Sequence, residues 1–328
     1  MNTTTCVLGA LSAEPGTKIR AFLPVPDTDI QIPCTIINST QKGPTLLFTA
    51  GIHGGEYPGI AALMDLGSHL EPDEIQGCLI MLHPVNIRGF WKRIPNLMPD
   101  DGKNLNRVFP GDPDGTASEK VAAFLSKEVF PLADFYADLH SGDIHEELHP
   151  YVYYPGIADE EIVQKSRAIA KLINVEFMVR SNATTGAYNS AAIQGLPSIL
   201  IERGHNGICY PSDVAAYKED LENIMCAVGI LPYAPKPCRY YPHEVENMLY
   251  LEADSTSCWR CQVHPGDFVY KGQTLGTMSD IFGTVHTTYL ARQDGIILYV
   301  CPTLAVTKGT ILCAYGKIAL AHHIGNEV

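Results

Sequence analysis

The sequence predicts an α/β fold, in which a mostly parallel or mixed sheet is flanked by helices, followed by a small all-β unit. Over the first two-thirds of the chain, short apolar runs such as 78–82 alternate with segments of helical periodicity, a pattern typical of sheets covered by helices. A segment at 232–242 then carries four prolines and little periodic pattern, which indicates a linker. Beyond about Val245, short β-rich runs separated by glycine turns replace the helical patterns.

The helices are predicted from start signals that precede apolar residues three and four positions apart. Pro58 is predicted to lie in the first turn of one helix and Ser118 to cap the next. Asp159 and Asp213 are predicted to start two others, of which the last extends to Val228. A proline suits the first turn of a helix because the N–H it lacks has no partner there. Segments of this kind between apolar runs favour a sheet with helices packed on it.

The motif V-x-K-G-x-x-L occurs twice in the last part of the chain, at 269–275 and at 306–312. A hairpin that is used twice predicts a small pseudo-symmetric barrel or sandwich. We therefore predict two domains, a larger one over 1–235 and an all-β one over 245–328. The second domain resembles a lipoyl/biotinyl carrier, but its candidate hairpin tip at 291–295 has no lysine, which favours a structural or pocket-covering role.

Composition argues against several classes of partner. The 328 residues carry a formal charge of −13, so we expect neither nucleic acid nor an anionic membrane surface as the main partner. Residues 1–6 lack the features of a signal peptide, and no apolar stretch is long enough to span a bilayer. The ten cysteines lack the spacing of a disulfide framework, which favours free thiols. Because free thiols persist in a reducing compartment, we expect a cytoplasmic protein.

Three apolar runs each lead to residues that can bind a metal or a proton: 45–50 before His53 and Glu56, 135–139 before His140, and 197–201 before Glu202. In an open α/β sheet, ligands bind beyond the carboxyl ends of the strands. These strands would therefore gather two His and two Glu in one place. Two His and one carboxylate form the ligand set of a hydrolytic zinc site with an open position. The remaining Glu could accept a proton from a water bound at that position.

His140 and Glu202 could also have purely structural roles. His140 can be a hydrogen-bonded His at a strand end, and Asp138, two residues earlier on the same face, is a candidate partner for it. Glu202 ends an apolar strand, where an unpaired buried carboxylate costs several kcal/mol (about 3–5). It is therefore either a general base or the partner of an arginine such as Arg203.

The polar loop 101–111, entered through Arg88 and Arg93, is a second candidate for function. Arginine offers a fork that binds carboxylates and can polarise a carbonyl group. The alternative is a solvated loop with tight turns.

Two further motifs do not predict metal sites. Residues 145–149 match H-E-x-x-H, but that signature needs a helix to bring both His to one face. Pro150 follows directly and 151–154 resembles a strand, so we expect no helix there. Cys258 and Cys261 have no second cysteine pair near them, which favours two thiols in a β-segment over structural zinc.

The order of the motifs is more specific than any one of them. Along the chain stand GIHGGE at 51–56, NLNR at 104–107, FPG at 109–111, DLH at 138–140 and then Glu202. This combination resembles the succinylglutamate desuccinylase/aspartoacylase family, a branch of the zinc carboxypeptidase superfamily, over nearly the whole chain. The resemblance implies a zinc-carboxypeptidase-like mixed sheet and a deacylase of the bacterial N-acyl amino acid type.

Carried over residue by residue, the resemblance implies that His53, Glu56 and His140 bind one zinc ion. It implies that Glu202 is the general base and later the acid. It also implies that Arg93 polarises the scissile carbonyl and that Asn106 and Arg107 bind the substrate carboxylate. The spacing from Arg93 to Asn106 is longer here than in aspartoacylases. The domain over 1–235 would then be the catalytic one.

The implied reaction is zinc-dependent hydrolysis of the amide bond of an N-acyl amino acid or a similar small carboxylate-bearing amide. Two alternatives stay open: a metallocarboxypeptidase that uses the same residues on short peptides, and a non-catalytic sensor or carrier that retains the pocket. A homo-oligomer is also compatible with the sequence.

Overall fold

The computed structural model describes residues 4–319 and contains a large mixed sheet with helices on its two faces. The helices are α1 (Tyr57–His69), α2 (Ile87–Lys92), α3 (Ala117–Phe124), α4 (Glu160–Ala170), α5 (Ala187–Ile193) and α6 (Pro211–Val228). The strands are β1 (Cys6–Leu8), β2 (Leu11–Ala13), β3 (Thr17–Pro24), β4 (Gln31–Asn38), β5 (Thr45–Ala50), β6 (Cys78–Leu82), β7 (Phe135–His140), β8 (Glu147–Leu148), β9 (Tyr151–Pro155), β10 (Phe177–Ser181), β11 (Ser198–Glu202), β12 (His243–Glu252), β13 (Ser257–Cys261), β14 (Phe268–Val269), β15 (Thr274–Ser279), β16 (Val285–Leu290), β17 (Gly295–Val300), β18 (Ala305–Val306) and β19 (Ile311–Ile318).

The large sheet has thirteen strands and is parallel at its centre. The strand order is β14, β17, β19, β12, β10, β9, β11, β7, β5, β6, β4, β3, with β8 paired to β17. β5 runs parallel to β6 and to β7, and β7 runs parallel to β11, whereas β9 is antiparallel to β11. The carboxyl ends of β5, β7 and β11 therefore lie side by side at one edge.

Alternate residues of the central strands face opposite sides of the sheet, and each side is covered. On one side, Leu47, Tyr136 and Leu200 belong to an apolar cluster with residues of α3 and α5. On the other side, Phe48 and Ile201 belong to a cluster with residues of α1, α4 and α6. The predicted α/β class is confirmed.

Two predicted helix starts are wrong by two residues. The residue before α3 is Thr116, whose backbone N–H donates to the carboxylate of Glu119 at 2.8 Å, so Ser118 lies inside the helix. α6 begins at Pro211 rather than at Asp213, because proline is itself a favourable residue in the first helical turn.

Other boundaries agree with the sequence analysis. Pro58 lies in the first turn of α1, and Asp159 directly precedes α4. The segment 232–242 contains no helix or strand, as its prolines predict. β13 contains both Cys258 and Cys261, and all ten cysteines are free thiols. Within 4–319, no helix combines the length and the apolar character needed to cross a membrane.

From β12 to β19 the chain consists of strands and turns, as predicted, and it forms a sandwich. Four of these strands extend the large sheet, and the other four form a second sheet in the order β16, β15, β13, β18. Trp259, Leu275 and Leu312 are among the buried residues that the two sheets contribute to one apolar cluster. Because β12 pairs in parallel with β10, the large sheet is continuous between the two parts of the chain.

The repeated V-x-K-G-x-x-L motif forms the same turn twice. Gly272 and Gly309 occupy equivalent positions with φ of +87° and +88°, a conformation that favours glycine. In each copy, the residue after the glycine donates its N–H to the carbonyl three residues earlier, at 2.9 Å in the first copy and 3.0 Å in the second.

The packing of α1 on β7 generates a prediction at Gly59. A Cβ atom at this position would lie 2.7 Å from the Cβ atom of Leu139, closer than two carbon atoms tolerate. We expect Gly59→Ala to lower the free energy of unfolding by about 1–3 kcal/mol, because overpacking displaces the helix or the strand. Urea unfolding followed by circular dichroism measures this change.

Gly67→Ala in the same helix is the matched control. There, a Cβ atom would lie 3.3 Å from Thr35 Oγ1 and 3.4 Å from Met81 Cε, and the side chain of Met81 is flexible. Alanine also has the higher helix propensity, by about 1 kcal/mol. A loss of stability at Gly67 as large as that at Gly59 would contradict the packing argument.

Candidate functional site

The ends of three neighbouring strands position the candidate site. Glu202, the last residue of β11, is the direct parallel partner of His140, the last residue of β7. β5 ends beside them, and Gly51 follows it with φ of +71°. A Cβ atom on Gly51 would lie 2.6 Å from Pro84, so only glycine allows the chain to turn here and bring His53 back to the strand ends.

His53, Glu56 and His140 form one compact group of metal-binding side chains. The Nδ1 atom of His53 lies 2.6 Å from Glu56 Oε1, and the Nδ1 atom of His140 lies 2.9 Å from Glu56 Oε2. One ligand atom from each residue lies within 4.8 Å of the others. All three residues are buried, with exposed fractions of 9%, 4% and 2%. The structure therefore brings together the three residues that the sequence analysis assigned to zinc.

The other nitrogen of each imidazole has an acceptor. His53 Nε2 lies 3.0 Å from Asn104 Oδ1, and His140 Nε2 lies 3.0 Å from Asp138 Oδ2. A proton on each Nε2 satisfies these acceptors and leaves the Nδ1 lone pairs for a metal, which is how His ligands are commonly oriented. The predicted contact between Asp138 and His140 is confirmed. Two neutral imidazoles and a carboxylate are a donor set that fits Zn²⁺.

The charges of this group depend on one another. Burial on its own would raise the pKa of Glu56, but the imidazoles of His53 and His140 lower it to about 2. Burial likewise opposes the charged form of His140, yet Asp138 and Glu56 raise its pKa well above the ordinary value. The carboxylate of Glu56 is thus the stable form, as a metal ligand requires.

Glu202, at the carboxyl end of β11, has no hydrogen-bond or ion-pair partner within the described residues. Burial raises its pKa well above the ordinary value, His140 opposes the shift, and Glu56 adds to it. The structural alternative, an ion pair with Arg203, is wrong, because Arg203 binds Asp220 through Nε at 3.0 Å and Nη2 at 2.7 Å. Within the described residues, the Glu202 carboxyl accepts no hydrogen bond, so it is available as a base.

The loop 104–107 forms a 3-10 turn after Asn104 and faces the same cavity. The Oδ1 atom of Asn106 accepts a hydrogen bond from the N–H of Ala187 at 2.9 Å, which ties the loop to the start of α5. The guanidinium of Arg107 makes no ion pair in the part of the chain that the structure describes, and its hydrogen bond to the carbonyl of Asn106 is 3.5 Å long. Arg107 is thus available to an anionic ligand.

Arg93 lies apart from these residues. It follows α2 in a left-handed conformation, with φ of 57°, and its side chain is exposed. The described residues that line the cavities around the candidate ligands do not include it. Its proposed part in polarising a carbonyl group stays a prediction.

Two cavities meet at the candidate ligands. The first has a volume of about 420 Å³ and contains Glu202, and the second has a volume of about 440 Å³. The residues that line both are His53, Glu56, Arg107, Glu146, Tyr299 and Ile311. The all-β part of the chain contributes Tyr250, Glu252, Tyr299 and Ile311 to the wall of the first cavity. This part of the chain therefore forms part of the cavity wall, and its predicted pocket-covering role stays a prediction.

Sequence reasoning missed two polar residues of the site. Asn104 lies in the NLNR motif at 104–107, but nothing in its spacing indicates a contact with His53. Glu146 belongs to the H-E-x-x-H match, which is not helical: Glu147 and Leu148 pair with β17. The expectation that 145–149 is not helical is confirmed, yet Glu146 lines both cavities.

Known proteins resemble this chain in sequence and in fold. A model of the succinylglutamate desuccinylase/aspartoacylase catalytic domain matches residues 42–228. The N-alpha-acetyl-L-2,4-diaminobutyric acid deacetylase of Halomonas elongata is 29% identical over 276 residues, which cover 82% of this chain and 80% of that protein. The crystal structure of a succinylglutamate desuccinylase/aspartoacylase from Rhodobacter sphaeroides matches with a TM-score of 0.81 at 26% identity, covering 92% of this chain and 96% of the other. The product-bound ectoine utilization protein of Ruegeria pomeroyi shares the fold, with a TM-score of 0.83 at 24% identity, covering 96% and 98% of the two chains.

The contact between Asn104 and His53 generates a prediction about metal affinity. We expect Asn104→Ala to weaken zinc binding by about 10- to 100-fold, because the imidazole loses the acceptor that fixes its tautomer and orientation. Competition with a chromophoric chelator measures the affinity. Asn96→Ala is the control, since the Asn96 side chain donates to Asp143 at 3.0 Å and not to a candidate ligand. Equal zinc affinities of the two variants would contradict the role of Asn104.

Proposed function

Because the chain belongs to the succinylglutamate desuccinylase/aspartoacylase family, we propose that it hydrolyses the amide bond of an N-acyl amino acid with the help of one zinc ion. The observation that carries the proposal is the position of Glu202, an unpaired carboxyl beside the group formed by His53, Glu56 and His140. A carboxyl base next to a His₂Glu donor set is the combination that metal-assisted hydrolysis requires.

In this proposal, His53, Glu56 and His140 hold the zinc ion, which supplies a Lewis acid and makes a nearby water more acidic. Glu202 accepts a proton from the attacking water through its carboxylate. It then donates that proton to the nitrogen of the departing amino acid, so that one group serves as base and as acid. Its half-buried position supports this cycle, because removal from water raises its pKa and makes the protonated form accessible.

Arg107 and Asn106 would position the substrate. The guanidinium of Arg107 lines the cavity that contains Glu202 and has no carboxylate partner among the described residues, so it suits the α-carboxylate of an N-acyl amino acid. Asn106 supports the same loop from its buried position. Fixing the carboxylate converts binding energy into orientation of the scissile amide. Arg93 would polarise the carbonyl group only after a movement of its exposed side chain toward the cavity.

The Halomonas relative narrows the first substrates to test. Its name specifies the removal of an acetyl group from the α-nitrogen of 2,4-diaminobutyric acid. We therefore propose N-acetyl amino acids as the starting panel, with N-succinyl amino acids beside them because the family name covers both.

The metallocarboxypeptidase alternative uses the same residues but needs a longer binding groove. Here the all-β part closes one wall of the first cavity with Tyr250, Tyr299 and Ile311, which supports a small substrate. Dipeptides with a blocked amino terminus distinguish the two activities. The non-catalytic sensor or carrier is disfavoured by the unpaired Glu202, because such a protein has no need to keep a partnerless carboxyl that is partly removed from water.

The proposed role of Glu202 generates a direct prediction. We expect Glu202→Gln to lower kcat on the best N-acyl amino acid by about 100- to 10,000-fold, since an amide cannot transfer the proton. Hydrolysis is followed by release of the free amino group, with zinc supplied. Chelation of zinc should abolish wild-type activity, and added zinc should restore it.

Glu219→Gln is the control, because Glu219 is an exposed carboxyl on α6, and it should retain wild-type activity. Full activity of the Glu202 variant that is insensitive to the chelator would refute the proposed function.

A further inference from the structure

The first cavity is richer in carboxyl groups than the proposed chemistry requires. Apart from the candidate ligands, its charged lining in the described chain comprises one cation, Arg107, and three carboxyls, Glu146, Glu202 and Glu252. Glu202 is accounted for as the base. Glu252 is exposed, whereas Glu146 is half-buried and lies at the junction of the two cavities. Glu146 is therefore the carboxyl whose position needs an explanation.

The backbone holds Glu146 in place. Its N–H donates to the carbonyl of Asp143 at 3.0 Å, and its carbonyl accepts from the N–H of Asn206 at 2.8 Å. Two hydrogen bonds, one within its own loop and one to the loop that contains Asn206, thus fix the main chain of Glu146 at the junction of the two cavities. A position fixed in this way suits a residue that recognises a ligand, because little conformational freedom is lost on binding.

The side chain of Glu146 has no hydrogen bond or ion pair within the described residues. Burial raises its pKa to about 8, Asp143 and Glu56 add to the shift, and Arg107 opposes it from beyond ion-pair distance. A carboxyl that is partly removed from water and has no partner is unfavourable in its charged form. A cationic group of a ligand would supply the missing partner.

The remaining wall of the first cavity also suits a cation. It contains five tyrosines: Tyr151, Tyr153, Tyr188, Tyr250 and Tyr299. The hydroxyl groups of Tyr153 and Tyr250 lie 3.2 Å apart. Tyrosine hydroxyls accept hydrogen bonds from an ammonium group, and the faces of their rings attract cations.

We propose that Glu146 recognises a cationic side chain of the N-acyl amino acid while Arg107 holds its α-carboxylate. This inference rests on the proposed function and specifies its substrate class. Arg107 and Glu146 attract each other without forming an ion pair, so a ligand that carries both a carboxylate and an ammonium group satisfies both residues. A substrate with an acidic side chain would instead bring a second carboxylate toward three carboxyl groups, a like-charge arrangement that acts against it.

Three substrates of matched length test the selectivity of the wild-type protein. The side chain of N-acetyl-2,4-diaminobutyrate ends in an ammonium group, that of N-acetylnorvaline in a methyl group of similar size, and that of N-acetylglutamate in a carboxylate. We expect kcat/KM to be highest for the cationic substrate, by about 10- to 100-fold over the neutral one, the range for a hydrogen bond between charged groups. The acidic substrate should be the poorest.

Glu146→Gln tests the residue. We expect it to reduce kcat/KM for the cationic substrate by about 10- to 100-fold and to change that for N-acetylnorvaline by less than about threefold. Calorimetric binding of the free amino acids gives a readout without turnover: the variant should lose affinity for 2,4-diaminobutyrate and not for norvaline. Zinc content and thermal unfolding of the variant exclude loss of the metal or of the fold as the cause.

Glu147→Gln is the matched control. It removes the same charge one residue away, in β8, at a position that lines neither cavity, and it should leave the selectivity unchanged. A wild-type preference for the neutral or acidic substrate would overturn the inference, and so would an equal loss on all three substrates in the Glu146 variant. Absence of hydrolysis of every N-acyl amino acid would instead contradict the proposed function itself.

Discussion

The parallel pairing of β5, β7 and β11 is the constraint on which the candidate site depends. In this register Glu202 lies directly beside His140, and the turn after β5 returns His53 to the same edge. The hydrogen bonds of a buried sheet cannot be left unmade without a large cost. Strand pairing therefore fixes Glu202 beside His140, and the turn after β5 places His53 and Glu56 next to them.

Once these groups are buried together, their charges must offset one another. The carboxylate of Glu56 lies between two imidazoles, and Asp138 and Asn104 accept from the far nitrogens of those rings. Burial of each group alone would favour its neutral form, but the network keeps Glu56 ionised. The carboxyl that lies at this edge without such a partner, Glu202, is the one to which a role in proton transfer is proposed.

The all-β part of the chain acts on the site through the sheet. β12 pairs with β10, so the sandwich is joined to the large sheet by main-chain hydrogen bonds rather than by a flexible tether. This arrangement brings Tyr250 and Tyr299 to the cavity wall beside Glu202. The size of the cavity and the chemistry of its wall thus depend on both parts of the chain together.

The sequence by itself determined the α/β class, the all-β end with its repeated turn, and the residues that gather at the strand ends. Apolar periodicity and position at a strand end are local patterns that can be recognised in a sequence. The order of the motifs then selects His53, Glu56, His140 and Glu202 as candidate site residues. Helix starts were less certain, because several residues near an end can cap it. Only the tertiary structure decided that Asn104 contacts His53 and that Glu146 lines the cavity. These contacts join segments that are far apart in the chain. Their proximity depends on how the sheet and its loops pack, and the spacing of residues along the sequence does not determine it.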